Sequence, residues 1–173
     1  MWQKRKGQQR GILMKLFNCF WELIVKLRAK SVGRSLHVNR LSIVSKTTIL
    51  GNNVNFNGIN IRGKGFVRIG DNFHSGKECI MISQNHNYDH GKSIPYDDTV
   101  ISKDIVIEDN VWIGDRVIIL AGAYIGEGAI IQAGSVVVGS IPACSIAGGH
   151  PAKPFKMRDI EHYKTLKQQE KFF

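Results

Sequence analysis

Three cysteines and four prolines are all that the 173 residues contain. Cys19, Cys79 and Cys144 are odd in number and match no zinc or redox spacing, which excludes a disulfide framework, a zinc ribbon and a thioredoxin-type motif. Reduced thiols in a cytosolic protein are the expectation. Acid is nearly absent from the first forty residues, where ten Lys or Arg stand against the single Glu22, a charge of +9. Residues 41–173 hold fourteen bases and thirteen acids, so almost all of the net +10 belongs to the N-terminal segment. A secretory signal is lacking too, with no uninterrupted apolar stretch before a small-residue cleavage site. Within residues 11–29 no apolar run exceeds three residues, against about 18 needed to span a bilayer.

What the chain has is a beat of six. Isoleucine falls at Ile107, Ile113, Ile119, Ile125 and Ile131, and Val137 keeps the register. Four residues after each isoleucine comes a small or β-branched residue: Val111, Val117, Ala123, Ala129 and Ser135. A helix repeats about every 3.6 residues and a strand every two. A period of six fits neither and marks an all-β parallel β-helix of hexapeptides. The aliphatic fills the inside of a face, and the small residue lets the chain turn the corner.

Three segments follow from the pattern. Residues 1–40 form a basic, amphipathic helical segment, 41–156 the coil, and 157–173 a C-terminal helix. Within the first, residues 11–29 read as a helix with a polar stripe of Lys15, Asn18, Glu22 and Lys26 and an apolar remainder that includes Phe17, Phe20, Trp21, Leu23 and Ile24. That face packs on its own coil, on a partner subunit, or on an anionic membrane surface. In the coil, Leu50-Gly51-Asn52-Asn53-Val54 and Ile69-Gly70-Asp71-Asn72-Phe73 fit the hexapeptide form, while 55–68 is irregular. Residues 87–104 break the beat and are expected to form a protruding loop with neither strand nor helix, a candidate wall of a site. Pro142, Pro151 and Pro154 are expected to end regular coiling after about Val138. The polar residues 157–172 are expected to form a helix that caps the open end.

From Ile69 to Lys156 the chain resembles the hexapeptide-repeat acyltransferases, and among them the galactoside and maltose acetyltransferases and related polysaccharide O-acetyltransferases. The residues that carry the likeness are Ile69-Gly70-Asp71-Asn72, Asn85-His86-Asn87, Asn110-Val111-Trp112-Ile113-Gly114, Gln132-Ala133-Gly134-Ser135-Val136-Val137 and Ala147-Gly148-Gly149-His150-Pro151-Ala152-Lys153. The resemblance implies a left-handed parallel β-helix. It implies a homotrimer with acetyl-CoA in a groove between subunits, and active sites shared between them.

By position His86 is the general base of that family, standing just before the loop. A sugar hydroxyl is a poor nucleophile near neutrality, and an imidazole is suited to take its proton as attack on the thioester proceeds. No covalent acyl-enzyme is needed, and no metal. The resemblance assigns acceptor binding to Asn55, Tyr88 and Asp89, and cofactor binding to Asp115, Ala133, Val138, Lys153 and Lys156. Val138 stands where the family often has a polar residue, so its contact would be through the main chain. Lys153 and Lys156 would meet the CoA phosphates as point charges. His90 is read as solvated, His74 and His150 have no matched role, His37 and His162 read as structural or exposed, and Trp112 as an external residue at a subunit interface.

The chain departs from the galactoside pattern in two places. The carboxylate expected one coil before the histidine is replaced by Ile61-Arg62-Gly63-Lys64, which suits an anionic sugar. The basic segment 1–30 has no counterpart in the small enzymes of the group and suits peripheral membrane contact where lipid-linked glycans are assembled. The reading is therefore an acetyl-CoA-dependent sugar O-acetyltransferase acting on a bacterial surface polysaccharide or its precursor. It would work in the cytoplasm, at the inner face of the membrane. The alternatives are N-acetylation of an amino sugar, a zinc enzyme of the γ-carbonic-anhydrase type, and a non-catalytic membrane-associated scaffold. The zinc enzyme lacks a third histidine, since residues 38–73 contain none. No nucleic-acid motif accompanies the basic segment.

Overall fold

The computed structural model describes residues 17–173. Residues 1–16, with five of the ten bases of the N-terminal segment and the first part of the helix expected over 11–29, lie outside the described residues.

The six-residue beat becomes three faces of a parallel β-solenoid. One face stacks six strands in the order Ser31–Val32, Thr48–Leu50, Val67–Ile69, Ile105–Ile107, Tyr124–Ile125 and Ser140–Ile141. The second begins at His37–Val38 and climbs through Asn55–Phe56, His74–Ser75, Trp112–Ile113 and Ile130–Ile131 to Ser145–Gly148. The third stacks Ile59–Arg62, Cys79–Ile82, Ile118–Leu120 and Val136–Val137. Ile107, Ile113, Ile119, Ile125, Ile131 and Val137 all point inward and are buried, and so are Val111, Val117, Ala123, Ala129 and Ser135. Each hexapeptide thus gives the core two residues, one from the strand and one from the corner. Ile69 with Phe73, and Leu50 with Val54, do the same one and two coils lower.

Backbone pairing alone leaves the corners unsupported, and polar side chains stitch them. At the corner between the first and second faces, Asn53 Nδ2 donates to Asn72 Oδ1 (3.0 Å), Asn72 Nδ2 to Asn110 Oδ1 (2.9 Å) and Asn110 Nδ2 to Glu127 Oε1 (3.3 Å). All three asparagines sit at positive φ, between 52° and 60°. Asparagine tolerates that left-handed region better than other non-glycine residues, which accounts for an Asn before each inward Val or Phe. A parallel ladder runs beside it: Asp71 Oδ1 accepts from Asn52 N and Asp109 Oδ1 from Asp71 N, both at 2.7 Å. Those carboxylates lie where a Cβ on Gly51 or Gly70 would fall, 2.3 Å away in each case, so glycine is required there.

The coil begins earlier and ends later than the sequence pattern suggests. Ser31–Val32 and His37–Val38 already pair with coil strands, inside the segment assigned to the N-terminal helix. Their corners are Gly33 and Ser35 rather than hexapeptide residues, which hid them. The irregular stretch 55–68 holds strands whose corners turn on Gly58 and Gly63 at positive φ. Pro142 and Pro151 occupy corners, so coiling continues through Ser145–Gly148. Pro154 lies in Lys153–Met157, an antiparallel strand that closes the outer edge of the second face. That position is one where a missing N–H is tolerated.

The helix over 17–28 closes the other end. Its Val25 is fully buried in the core, Trp21 packs beside it, and Arg28 Nε donates to the Val44 carbonyl (3.0 Å). The C-terminal helix is shorter than expected, Ile160–Gln168, capped by Asp159 accepting from His162 N, and buries no residue. It lies along the outside of the asparagine corner instead of over the open end. Tyr163 Oη and Lys167 Nζ both donate to Glu127 Oε1 (2.7 and 2.5 Å). Arg158 lies over the Tyr163 ring.

The loop also differs from expectation. Val100–Ser102 is a strand, pairing antiparallel with Gln84–His86 so that Val100 faces His86. Its β-branched pair Val100-Ile101 carries strand propensity that the polar surroundings masked. Lys103 N donates to the Ser83 carbonyl (3.1 Å), closing the base of the insertion.

Asn72→Val should lower stability by about 3 kcal/mol, because it loses two ladder bonds and places a β-branched residue at positive φ. Asn72→Gly, which loses the same bonds without that strain, should cost about half as much, and urea unfolding midpoints give the ranking. Burial resists ionisation of Glu127, but Lys167, Tyr163 and Asn110 outweigh it and hold the carboxyl below the ordinary carboxylate range. The docking this supports is complete above the unfolded carboxyl value of about 4.3 and lost as pH falls through the lower folded value. The Tyr163 ring resonances should therefore move to exposed positions in acid, and Glu127→Gln should remove that acid transition.

Candidate active site

His86 is the last residue of Gln84–His86, at the corner between the third and first faces. It is exposed, and its imidazole stacks on the Tyr96 ring with centroids 3.8 Å apart and planes 16° apart. Tyr96 is carried there by a tightly tied loop. Asp97 accepts from Lys92 N (2.8 Å), Thr99 N (2.9 Å) and Thr99 Oγ1 (2.5 Å), and Asn87 Nδ2 donates to Thr99 Oγ1 (3.1 Å). The Thr99 hydroxyl and the backbone donors hold the Asp97 carboxyl below its ordinary range. One face of the His86 ring is thus covered, and its edge is left to a cleft of about 370 Å³ lined by Arg62, Gly63, Ile82, Gln84, Asn85 and His86.

The other assigned residues divide between the edges of the third face. Tyr88 and Asp89 follow Asn87 on the loop and are exposed. Val138 lies on the same edge as His86, two coils further on. Asp115 and Ala133 lie on the opposite edge, in a groove of about 710 Å³ that also takes in Arg40, Lys77, Arg116 and Gly134. Asp115 Oδ1 accepts from Lys77 N (2.8 Å), so one carboxylate oxygen is committed to the corner. Arg116 is paired with Glu78 (2.8 Å), whose hydrogen bond and charge raise the guanidinium above its ordinary value. Lys153 opposes Gly148 at the top of this same edge, whereas Lys156 opposes Ile146, further across the second face. Asn55 is on the second face between His37 and His74 in register. A single chain therefore does not bring Asn55 or the Asp115–Ala133 groove to His86.

Several residues escape sequence reasoning. Tyr96 has no spacing that ties it to His86, and only the folded loop shows the stack. Arg40, Lys77 and Arg116 come into one groove through the coil register, since Arg116 N donates to the Lys77 carbonyl (2.7 Å) across the loop insertion. His150 has a role in the fold: its Nε2 lies 2.6 Å from the Gly134 carbonyl oxygen, fixing the last turn against the groove wall. A Cβ added to Gly134 would meet nothing within 4 Å, so backbone there borders open space. Among the described residues no group of three or more His, Cys, Asp or Glu side chains is arranged to hold a metal ion.

The family model for the bacterial transferase hexapeptide (six repeats) matches residues 104–139. No curated protein is similar enough to match the sequence. Solved structures that share the fold over most of the chain include three acetyltransferases. A galactoside acetyltransferase in complex with coenzyme A is 28% identical over 82% of this chain and 71% of its own, with a TM-score of 0.70. A hexapeptide-repeat acetyltransferase of Vibrio cholerae complexed with acetyl-coenzyme A is 26% identical, over 78% and 74%, with a TM-score of 0.65. A maltose O-acetyltransferase from Clostridium difficile is 26% identical, over 75% and 66%, with a TM-score of 0.59. In its matched repeat, its parallel coil and its likeness to acetyltransferases crystallised with coenzyme A, the chain is similar to the hexapeptide-repeat acyltransferases.

Proposed function

We propose that the protein transfers an acetyl group from acetyl-CoA to a sugar hydroxyl, with His86 as general base. The observation that carries this reading is the His86 imidazole, held by Tyr96 at the mouth of a cleft and free of any other side-chain partner among the described residues. Acetyl-CoA supplies the activated thioester. His86 accepts the hydroxyl proton as the acceptor oxygen attacks, and Tyr96 keeps the ring from turning away. The groove along the opposite edge is the place this reading gives to acetyl-CoA. Open backbone at Gly134 admits a narrow pantetheine arm beside Ala133, and Arg40, Lys77 and Lys153 offer charge for phosphates.

Because base and groove lie on opposite edges of one face, a working site takes them from two copies. A homotrimer, in which each copy offers one edge to the next, meets that need with closed symmetry. The acceptor we favour is a bacterial surface polysaccharide or its precursor, modified in the cytoplasm beside the membrane. The helix over 17–28 supports that location. Opposite Val25 it exposes Phe17, Phe20, Leu23 and Leu27, with Lys26 and Lys30 alongside. An apolar stripe flanked by bases suits the surface of an anionic bilayer, and no helix described is long and apolar enough to cross one.

His86→Ala should reduce acetyl transfer by about 10²–10⁴-fold with the melting temperature unchanged. Full activity in that variant would end the reading, and amino sugars beside neutral sugars in the assay separate O- from N-transfer. Ala133→Leu should weaken CoA binding at least about tenfold while leaving folding intact, as read by calorimetry. Co-expression of His86→Ala with Ala133→Leu should recover part of the activity that each lacks alone, since mixed trimers contain one intact site. A site built within one chain would recover none.

A further inference from the structure

The cleft beside His86 contains two features that the proton transfer does not use. The first is Arg62. It ends the strand Ile59–Arg62, whose residues alternate inward and outward, so Ile61 is buried and Arg62 stands out from the third face directly below Ile82. The three ion pairs among the described residues are Arg116–Glu78, Lys164–Glu161 and Lys167–Glu127, and none involves Arg62. None of the six residues lining the cleft is acidic. Asp97 on the hairpin ties the loop together, and Asp104 at its base accepts from Phe66 N (2.8 Å). The cleft therefore presents an uncompensated guanidinium.

The second feature is Gln84. Its Oε1 is shut off from solvent and receives no hydrogen bond. Buried acceptors almost always have a donor, and Gln84 lines the cleft two residues before the base. A turn of the Gln84 side chain that brings Oε1 out to the cleft would give it a donor in whatever fills that space. Gln84 opens the next strand, Gln84–His86, two residues after the Ile82 that pairs in register with Arg62, so both groups border the same cleft.

We propose that the cleft is built for an anionic sugar: Arg62 takes its carboxylate or phosphate, and Gln84 Oε1 accepts a hydrogen bond from a neighbouring hydroxyl or N–H. This rests on the reading of the cleft as the acceptor site. A guanidinium matches both anions in a two-pronged fashion, and sugars carry hydroxyl donors at the spacing of adjacent ring carbons. The two contacts orient the ring so that a further hydroxyl meets the edge of His86 that Tyr96 leaves open. A neutral sugar would satisfy Gln84 and leave Arg62 unused. The anion therefore sets specificity, and Arg62 and Gln84 select and position the acceptor without taking part in the proton transfer.

The test is equilibrium binding to the full-length protein of three ligands with the same ring: methyl glucoside, glucuronate and glucose 6-phosphate. Binding is followed by calorimetry with CoA present, so the outcome does not depend on turnover. The wild-type protein should bind one or both anionic ligands at least about tenfold more tightly than the neutral one. The better of the two tells carboxylate from phosphate. Arg62→Ala should erase that preference while leaving methyl glucoside and CoA affinities within about twofold, and Arg62→Lys should restore part of it. Gln84→Met should weaken all three ligands alike. His86→Ala should bind as the wild type does, so loss of turnover there speaks to the base and not to the anion. Equal binding of neutral and anionic sugars by the wild type would overturn the proposal, as would an anion preference that survives Arg62→Ala. A fall in CoA affinity in Arg62→Ala would also overturn it, by assigning the guanidinium to the cofactor phosphates.

Discussion

Every coil has to come back in register with the one beneath it. The backbone N–H and C=O groups of each short strand have no partners in their own turn of the chain. They are satisfied only if the next turn lands directly above, as Ile107 does over Ile69 and Ile125 over Ile107. Unpaired, these groups would each cost a sizeable part of a hydrogen bond's worth. That requirement fixes the inward aliphatics and sets the corner conformation. It explains the choice of asparagine at left-handed positions and of glycine beneath the stacked carboxylates. Neither ladder is decoration on a finished coil, since each bonds one turn to the next at the place where the strands have ended.

The same constraint decides where chemistry can sit. Inward positions are taken by the core, and the strands on each face are two to four residues long. Side chains free to meet a ligand therefore stand on the outer faces or, more often, at the corners. His86 and Val138 share one corner line, and Asp115, Ala133 and Lys153 share another. A flat face lies between the two lines. A solenoid has no natural pocket, and depth comes from the hairpin that rises at His86 and from the groove that a second copy would roof. The positions of His86 and of the groove on opposite corner lines thus have one geometric cause.

Much of this is legible in the chain, to the extent that it is periodic. From Ile107 to Val137 the beat reads directly as inward positions, and each is buried. Legibility fades where a corner is made differently. Gly58 and Gly63 turn the chain through 55–68, and Pro142 occupies a corner that reads as a stop. The N-terminal strands Ser31–Val32 and His37–Val38 are too short to carry a period of their own. At the site, His86 was accessible through likeness to a family, because the motif around it is contiguous. Tyr96 was not, since its stack on His86 depends on a loop held by Asp97 and Thr99. Arg62 was visible as a base in place of an expected acid, while the orphaned oxygen of Gln84 is a property of packing that no pattern of residue types encodes.

The hairpin leaves the coil at Ser83 and rejoins it at Lys103, and those two residues are hydrogen-bonded to each other. Its ends are therefore pinned at a fixed separation whatever lies between them, and the strands above and below keep their register across it. The cost of closing a loop grows only slowly with its length. Residues can thus be added, removed or exchanged at the tip with little effect on the stability of the coil. The insertion behaves as an interchangeable part: a lineage can alter what stands against the His86 imidazole while the scaffold that displays it stays unchanged.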